Sequence, residues 1–168
     1  EIGTSIDEKS MYTVAQEILK STKTFDCKLH LPIDIVVAEN PNDPKYKIFN
    51  INECPKDKMI LDAGPLTIKN IKSVLTNSKT LIWNGPLGAF EFQPYDKATT
   101  KLAKLVANQT ASGNLVSIAG GGDTISALSI TDSVKKLSYV STAGGAFLEW
   151  LEGRSLPGVK ALEQPRPR

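Results

Sequence analysis

Three stretches of this sequence join glycines to residues able to hold an anion. They are Asn84-Gly85-Pro86-Leu87-Gly88, followed by Glu91; Gly120-Gly121-Gly122-Asp123-Thr124; and Ser141-Thr142-Ala143-Gly144-Gly145-Ala146. Glycine lets the backbone come close to a phosphate. Where such a turn opens a helix, free N–H groups and the positive end of the helix dipole attract negative charge. One turn of this kind is explained as well by tight packing. Three on one sheet edge favour a phosphate or nucleotide ligand.

Each residue also has a plainer reading. Asp123 is either a first-turn or capping carboxylate, or a carboxylate that holds Mg²⁺ against a nucleotide phosphate, since Mg²⁺ takes one or two carboxylates together with phosphate oxygens and water. Thr124 either caps the helix or donates to a phosphate. The Asn84 amide can bond a phosphate oxygen or a backbone group. Glu91 is either a solvated acid or an acceptor for ribose hydroxyls. The Ser141–Ala146 turn offers its backbone N–H groups as an oxyanion-type donor array.

Other chemistries are excluded or disfavoured. No G-x-x-x-x-G-K-[ST] run occurs, so this is not a Walker NTPase, and no G-x-G-x-x-G opens a first βα turn. Two cysteines and one histidine are too few for a Cys/His zinc site. Any triad would have to use His30, which the pattern puts at the end of a short strand, Cys27–Leu31, closed by Pro32. The cysteine count points to a reducing compartment, taken as the cytoplasm.

The turns need elements to hold them. Residues Ser5 to Lys23 read as a helix with Asp7 as its cap and Met11, Val14, Ala15, Ile18 and Leu19 on one face. Asp34–Ala38 is a β-branched buried strand, and Lys47–Ile51 an alternating edge strand. Then strands Met59–Asp62, Thr80–Trp83, Asn114–Ile118 and Leu137–Val140 alternate with helices from Gly64-Pro65 to Thr76, Pro94 to Ala111 (Ala98, Leu102, Leu105 and Val106 inward), Asp123 to Leu128, and Phe147 to Leu151. That rhythm predicts an α/β fold with a parallel sheet covered by helices on both faces. Ligands of such sheets sit at the strand carboxyl ends, where these turns lie. Glu163–Arg168 reads as a frayed tail.

Composition sets the bounds. The 168 residues fit one domain at roughly 100–200 residues per domain. Lys and Arg number 20 and Asp and Glu 18, a net charge of +2, which argues against a nucleic-acid binder. Apolar residues at 40% and charged residues at 23% are those of an ordinary globular chain. No apolar run reaches the ~20 residues that span a bilayer. The chain begins with Glu1 rather than Met, so the first strands of the fold are expected to be missing.

Trp83-Asn84-Gly85-Pro86-Leu87-Gly88-Ala89-Phe90-Glu91 resembles the W-N-G-P-x-G-x-F-E signature of the phosphoglycerate kinases. Gly120–Thr124 resembles the family's G-G-G-D-[ST] loop, and Ser141–Ala146 its S-T-G-G-G-A turn. Glu1–Ser5, Leu61–Pro65 and Leu151–Gly158 match further segments in order, so the resemblance covers residues 1–162. It implies most of a Rossmann-like C-terminal nucleotide domain from a two-domain glycolytic kinase. That enzyme moves a phosphoryl group between 1,3-bisphosphoglycerate and MgADP, giving 3-phosphoglycerate and MgATP.

By the same resemblance, Glu91 corresponds to the ribose contact, and Asn84 to an asparagine near the terminal phosphates. Gly121, Gly122 and Thr124 correspond to the phosphate loop, Asp123 to the aspartate of the nucleotide's Mg²⁺, and Gly144 and Gly145 to donors beside the transferring group. Met59, Ile60 and Leu87 would lie near the adenine. Ala143 departs from the family's glycine. The family's phosphate-binding lysine and its whole phosphoglycerate domain precede Glu1. The chain alone is therefore expected to be inactive, with the rest of the polypeptide as its partner; the alternative is a noncatalytic nucleotide-binding module.

Overall fold

The computed structural model describes residues 2–163, so the expected frayed tail lies, but for Glu163, outside the described residues. The chain divides into two compact units, Glu1–Ser73 with Leu87–Ala98, and Val74–Pro86 with Thr99–Arg168.

The first unit is built on β1 (Asp34–Ala38), flanked by β2 (Lys47–Asn50) and β3 (Met59–Ala63) in the order β2-β1-β3. Both pairings are antiparallel, with a bulge between Val36 and Val37 against β3. Met59–Asp62, which the sequence counts among the alternating strands of the parallel sheet, therefore joins an antiparallel sheet instead, and the expected parallel sheet is that of the second unit. The segments joining these strands are turns and a short 3-10 piece, Ile51–Glu53, whereas a parallel neighbour needs a crossover of a dozen residues or more. The β-branched run is buried along its whole length. Ile35 and Val37 pack with Cys54, while Val36 and Ala38 point the other way onto Leu61 and Tyr95. Strand β2 is the exposed edge, as its alternation predicts.

Two expected elements change at the start of the chain. The helix α1 (Tyr12–Thr24) begins later than the apolar spacing suggests. Residues 3–5 run beside β3 instead: Gly3 bridges Met59, and the Ile60 N–H donates to Ser5 Oγ at 2.8 Å. Asp7 does not cap the helix; its carboxylate accepts from the Tyr12 hydroxyl. No residue of α1 is buried, so its stripe of Met11, Val14, Ile18 and Leu19 is exposed. Cys27–Leu31 forms no strand. Leu29 and Leu31 are exposed, and among the described residues no strand pairs with that backbone. His30 Nδ1 lies 3.5 Å from the Asn70 amide.

Helix α2 (Pro65–Thr76) follows β3 and leads to the second unit's sheet, β4 (Thr80–Asn84), β5 (Val116–Gly120) and β6 (Tyr139–Ser141), parallel and in that spatial order. Helix α3 (Lys97–Ala111) crosses from β4 to β5 and α4 (Gly122–Ser129) from β5 to β6; α5 (Gly145–Leu151) and α6 (Pro157–Glu163) follow. Helix α3 starts at Lys97, because residues 94–96 form a turn in which the Tyr95 N–H bonds Phe92 C=O at 2.7 Å. Leu102, Ala103, Val106 and Ala107 are buried on α3, with Leu105 half-buried beside them. One sheet face carries Trp83, Ser117 and Ala119, all buried. On the other, Phe147 of α5 covers Gly120, while Ile82, Val116 and Tyr139 stay exposed.

Candidate functional site

The register of the parallel sheet sets Asn84 beside Gly120, and Gly120 beside Ser141. The three glycine turns therefore leave the sheet at one level, side by side.

The first turn is fixed through Gly85. The indole Nε1–H of buried Trp83 donates to the Gly85 carbonyl at 2.8 Å, and the Gly85 N–H donates to Thr124 Oγ1 at 2.6 Å. Thr124 thus neither caps α4 nor faces open solvent: it is 1% exposed and ties the first turn to the second. Because its oxygen accepts from Gly85, its own proton is left for another acceptor. The Asn84 side chain reaches over the second turn. A Cβ on Gly121 would stand 3.1 Å from Asn84 Oδ1 and 3.5 Å from Thr124 Oγ1. Gly121 also sits at φ 92, a conformation that side chains resist.

Gly121 is the N-cap of α4 and Gly144 the N-cap of α5, and neither helix end receives a side-chain cap. Asp123 lies in the first turn of α4 and is exposed, so it is not the cap. Gly122, Gly144 and Gly145 are exposed, with open space where a Cβ would be. Helix ends of this kind hold unsatisfied N–H donors and a positive potential. Ala143 costs the third turn nothing in strain, since it is not among the residues with positive φ. Its N–H is engaged by Ser141 Oγ at 3.3 Å.

The remaining expected residues belong to the first unit. Ile60 and Leu87 line a largely apolar cavity of about 280 Å³ together with Leu61, Ile71 and Ala89. Met59 instead packs on the Tyr95 cluster. Glu91 is exposed in the turn between Ala89 and Phe92, whose N–H bonds Ala89 C=O at 2.9 Å.

Two buried carboxylates were not singled out by the sequence, and both close helix ends. Asp34 accepts from the Leu66 and Thr67 N–H groups (2.9 and 2.8 Å) and the Thr67 hydroxyl (2.8 Å) at the start of α2. Asp62 accepts from the Ala98 N–H at the start of α3 (3.0 Å). A glycine lies against each: a Cβ on Gly64 would be 2.2 Å from Asp34 Cγ, and one on Gly88 2.3 Å from Asp62 Oδ1. Gly88, which the sequence places in the first glycine turn, and Gly64, which it places at a helix start, are spacers for buried acids.

Among the described residues no group of His, Cys, Asp or Glu could by itself hold a metal, and no helix is long and apolar enough to cross a membrane. A lone carboxylate beside an open helix end suits a Mg²⁺ that arrives on a phosphate, since that ion keeps water and phosphate oxygens as most of its ligands.

Comparison with known proteins gives the family. The family model for phosphoglycerate kinase matches residues 1–154. The chain is similar to the phosphoglycerate kinases of Cereibacter sphaeroides (51% identical, covering 96% of this chain and 41% of the relative) and Zymomonas mobilis (49%, 97% and 41%). It is also similar to the solved phosphoglycerate kinase of Coxiella burnetii, with TM-score 0.88 and 38% identity over 96% of this chain and 41% of that one. The chain belongs to the phosphoglycerate kinase family. It spans about two-fifths of the length of the curated relatives it matches.

Proposed function

We propose that this member of the family carries the nucleotide side of a phosphoglycerate kinase. The reaction is reversible phosphoryl transfer between 1,3-bisphosphoglycerate and MgADP, giving 3-phosphoglycerate and MgATP, in the cytoplasm. The carrying observation is the pair of uncapped helix ends, α4 and α5, at the carboxyl edge of the parallel sheet. In this reading Gly121 and Gly122 N–H groups and the Thr124 hydroxyl hold ADP or ATP phosphates. The Asn84 amide bonds the terminal phosphates, and Glu91 accepts from the ribose hydroxyls. Gly144 and Gly145 N–H groups face the phosphoryl group in transit, where donors aimed at developing charge are most effective. Asp123 would hold the nucleotide's Mg²⁺, whose part is to neutralise phosphate charge.

Residues 1–162 act in this reading as most of the C-terminal domain, and the remaining polypeptide of a full-length enzyme supplies the phosphoglycerate site. The exposed apolar side chains Ile82, Val116 and Tyr139 on one sheet face support a covering by that remainder. Phosphoryl transfer needs both partners held in line, so the chain by itself binds nucleotide without turnover. A coupled kinase assay on the purified chain tests this. Background rates are expected, and substantial turnover would contradict it. Loss of MgADP binding in Asp123→Asn and Thr124→Val, with the fold intact by circular dichroism, is the matching result for the site; unchanged binding in both would remove it.

A further inference from the structure

We propose that Asp62 is a positioning residue for Glu91: its buried carboxylate bonds the return end of the segment that carries Glu91 and packs against the backbone at its start, and so sets where the Glu91 carboxylate meets the ribose of a nucleoside diphosphate. This rests on the reading of Glu91 as the ribose contact.

The segment from Gly88 to Ala98 leaves β3 and comes back to it. At its start, the Ala89 N–H donates to the Leu61 carbonyl at 2.8 Å. The backbone of Gly88 lies so close to Asp62 that a Cβ there would stand 2.3 Å from Oδ1 and 2.5 Å from the Tyr95 carbonyl. At its end, the Ala98 N–H donates to Asp62 Oδ2 at 3.0 Å. Asp62 is 3% exposed and Tyr95, midway along the segment, 0%. The Tyr95 hydroxyl donates to the Asp43 carbonyl and fixes the middle. Glu91 rides in the exposed turn between these anchors.

The chemistry of the anchor needs a carboxylate. Oδ1 accepts from the Ala63 N–H (2.8 Å) while Oδ2 accepts from Ala98. An asparagine offers one oxygen and would turn its NH₂ toward the other N–H. Losing the Ala98 bond frees the return end of the segment while the apolar contacts of Tyr95 persist. Glu91 should then lose its aim rather than its chemistry.

The test compares MgADP with MgdideoxyADP, which lacks both ribose hydroxyls, in calorimetric titrations of the chain. Wild type should prefer ADP by about tenfold, the size of one hydrogen bond to a charged group. Asp62→Asn and Glu91→Gln should each abolish most of that preference, leave dideoxyADP affinity within about twofold, and together cost no more than either alone. Parallel weakening of both ligands by Asp62→Asn would make the residue merely structural and overturn the proposal. Equal wild-type affinities would instead sink the ribose reading of Glu91. Amide exchange on the wild-type chain then tests the fastening without any variant. Ala89 and Ala98 should open together as one unit, and independent exchange at the two would overturn it.

Discussion

The two units treat their helix ends in opposite ways. In the antiparallel unit the starts of α2 and α3 are closed by the protein's own buried acids, Asp34 and Asp62, each with a glycine pressed against it. In the parallel unit the starts of α4 and α5 have glycines as N-caps and no side chain on their donors. A helix end that only needs stability takes a carboxylate of its own. An end left open at a sheet's carboxyl edge keeps its donors for a ligand's negative charge. In the proposed reading, closure marks the scaffold and openness marks the nucleotide site.

Disturbing the closed ends should cost stability. Gly88→Ala drives a methyl into the Asp62 carboxylate and the Tyr95 carbonyl, and is expected to destabilise the chain by about 3 kcal/mol. A fall in thermal midpoint measures this; an unchanged midpoint would mean that Gly88 does not space Asp62. Asp34→Ala strips the Leu66 and Thr67 N–H donors of their acceptor, while the Thr67 hydroxyl keeps the Asp34 carbonyl, and should cost about 2 kcal/mol in denaturant unfolding.

Closing an open end should do the reverse. Gly122→Asp adds a carboxylate to the first turn of α4, where a Cβ meets open space. The helix end gains up to about 1 kcal/mol from the dipole. MgADP affinity should nevertheless fall by about tenfold, because like charge now faces the phosphates. Undiminished affinity would break the distinction between the two kinds of end.

The smallest effect concerns Tyr95. Burial pushes its phenol up from the ordinary tyrosine range, with Asp43 and Tyr46 adding to the shift. The folded state therefore favours the neutral form. Its contribution is complete below the unfolded value of about 10 and is lost as pH rises through the higher folded value. Tyr95→Phe should cost about 1 kcal/mol at neutral pH, through the lost bond to the Asp43 carbonyl. It should also remove part of the alkaline fall in stability, followed by melts across the alkaline range.

The sequence revealed the open ends better than the closed ones. Three glycine turns between regular strands and helices are a local pattern; the helices after the second and third turns start within two residues of expectation, and α3 starts at Lys97 rather than Pro94. Strand direction in the first unit was not legible, because β-branched residues suit either direction and only the short connections forbid a parallel neighbour. Asp62 was hidden for a different reason. Its partners, Gly88 and Ala98, are remote in the chain, and a strand-end aspartate looks the same whether it caps a distant helix or faces water. Thr124 was legible as a polar loop residue but not as the acceptor for Gly85, which is a contact between two turns. The Cys27–Leu31 strand failed because alternation needs a pairing neighbour, and among the described residues none is there.

The most direct test is a titration of the ¹⁵N-labelled chain with MgADP, following backbone amides. If the open ends hold the phosphates, Gly121, Gly122, Asp123, Gly144 and Gly145 shift most, and Leu66, Thr67 and Ala98 at the closed ends stay in place. Shifts at the closed ends with none at the glycine turns would contradict the division between scaffold and site.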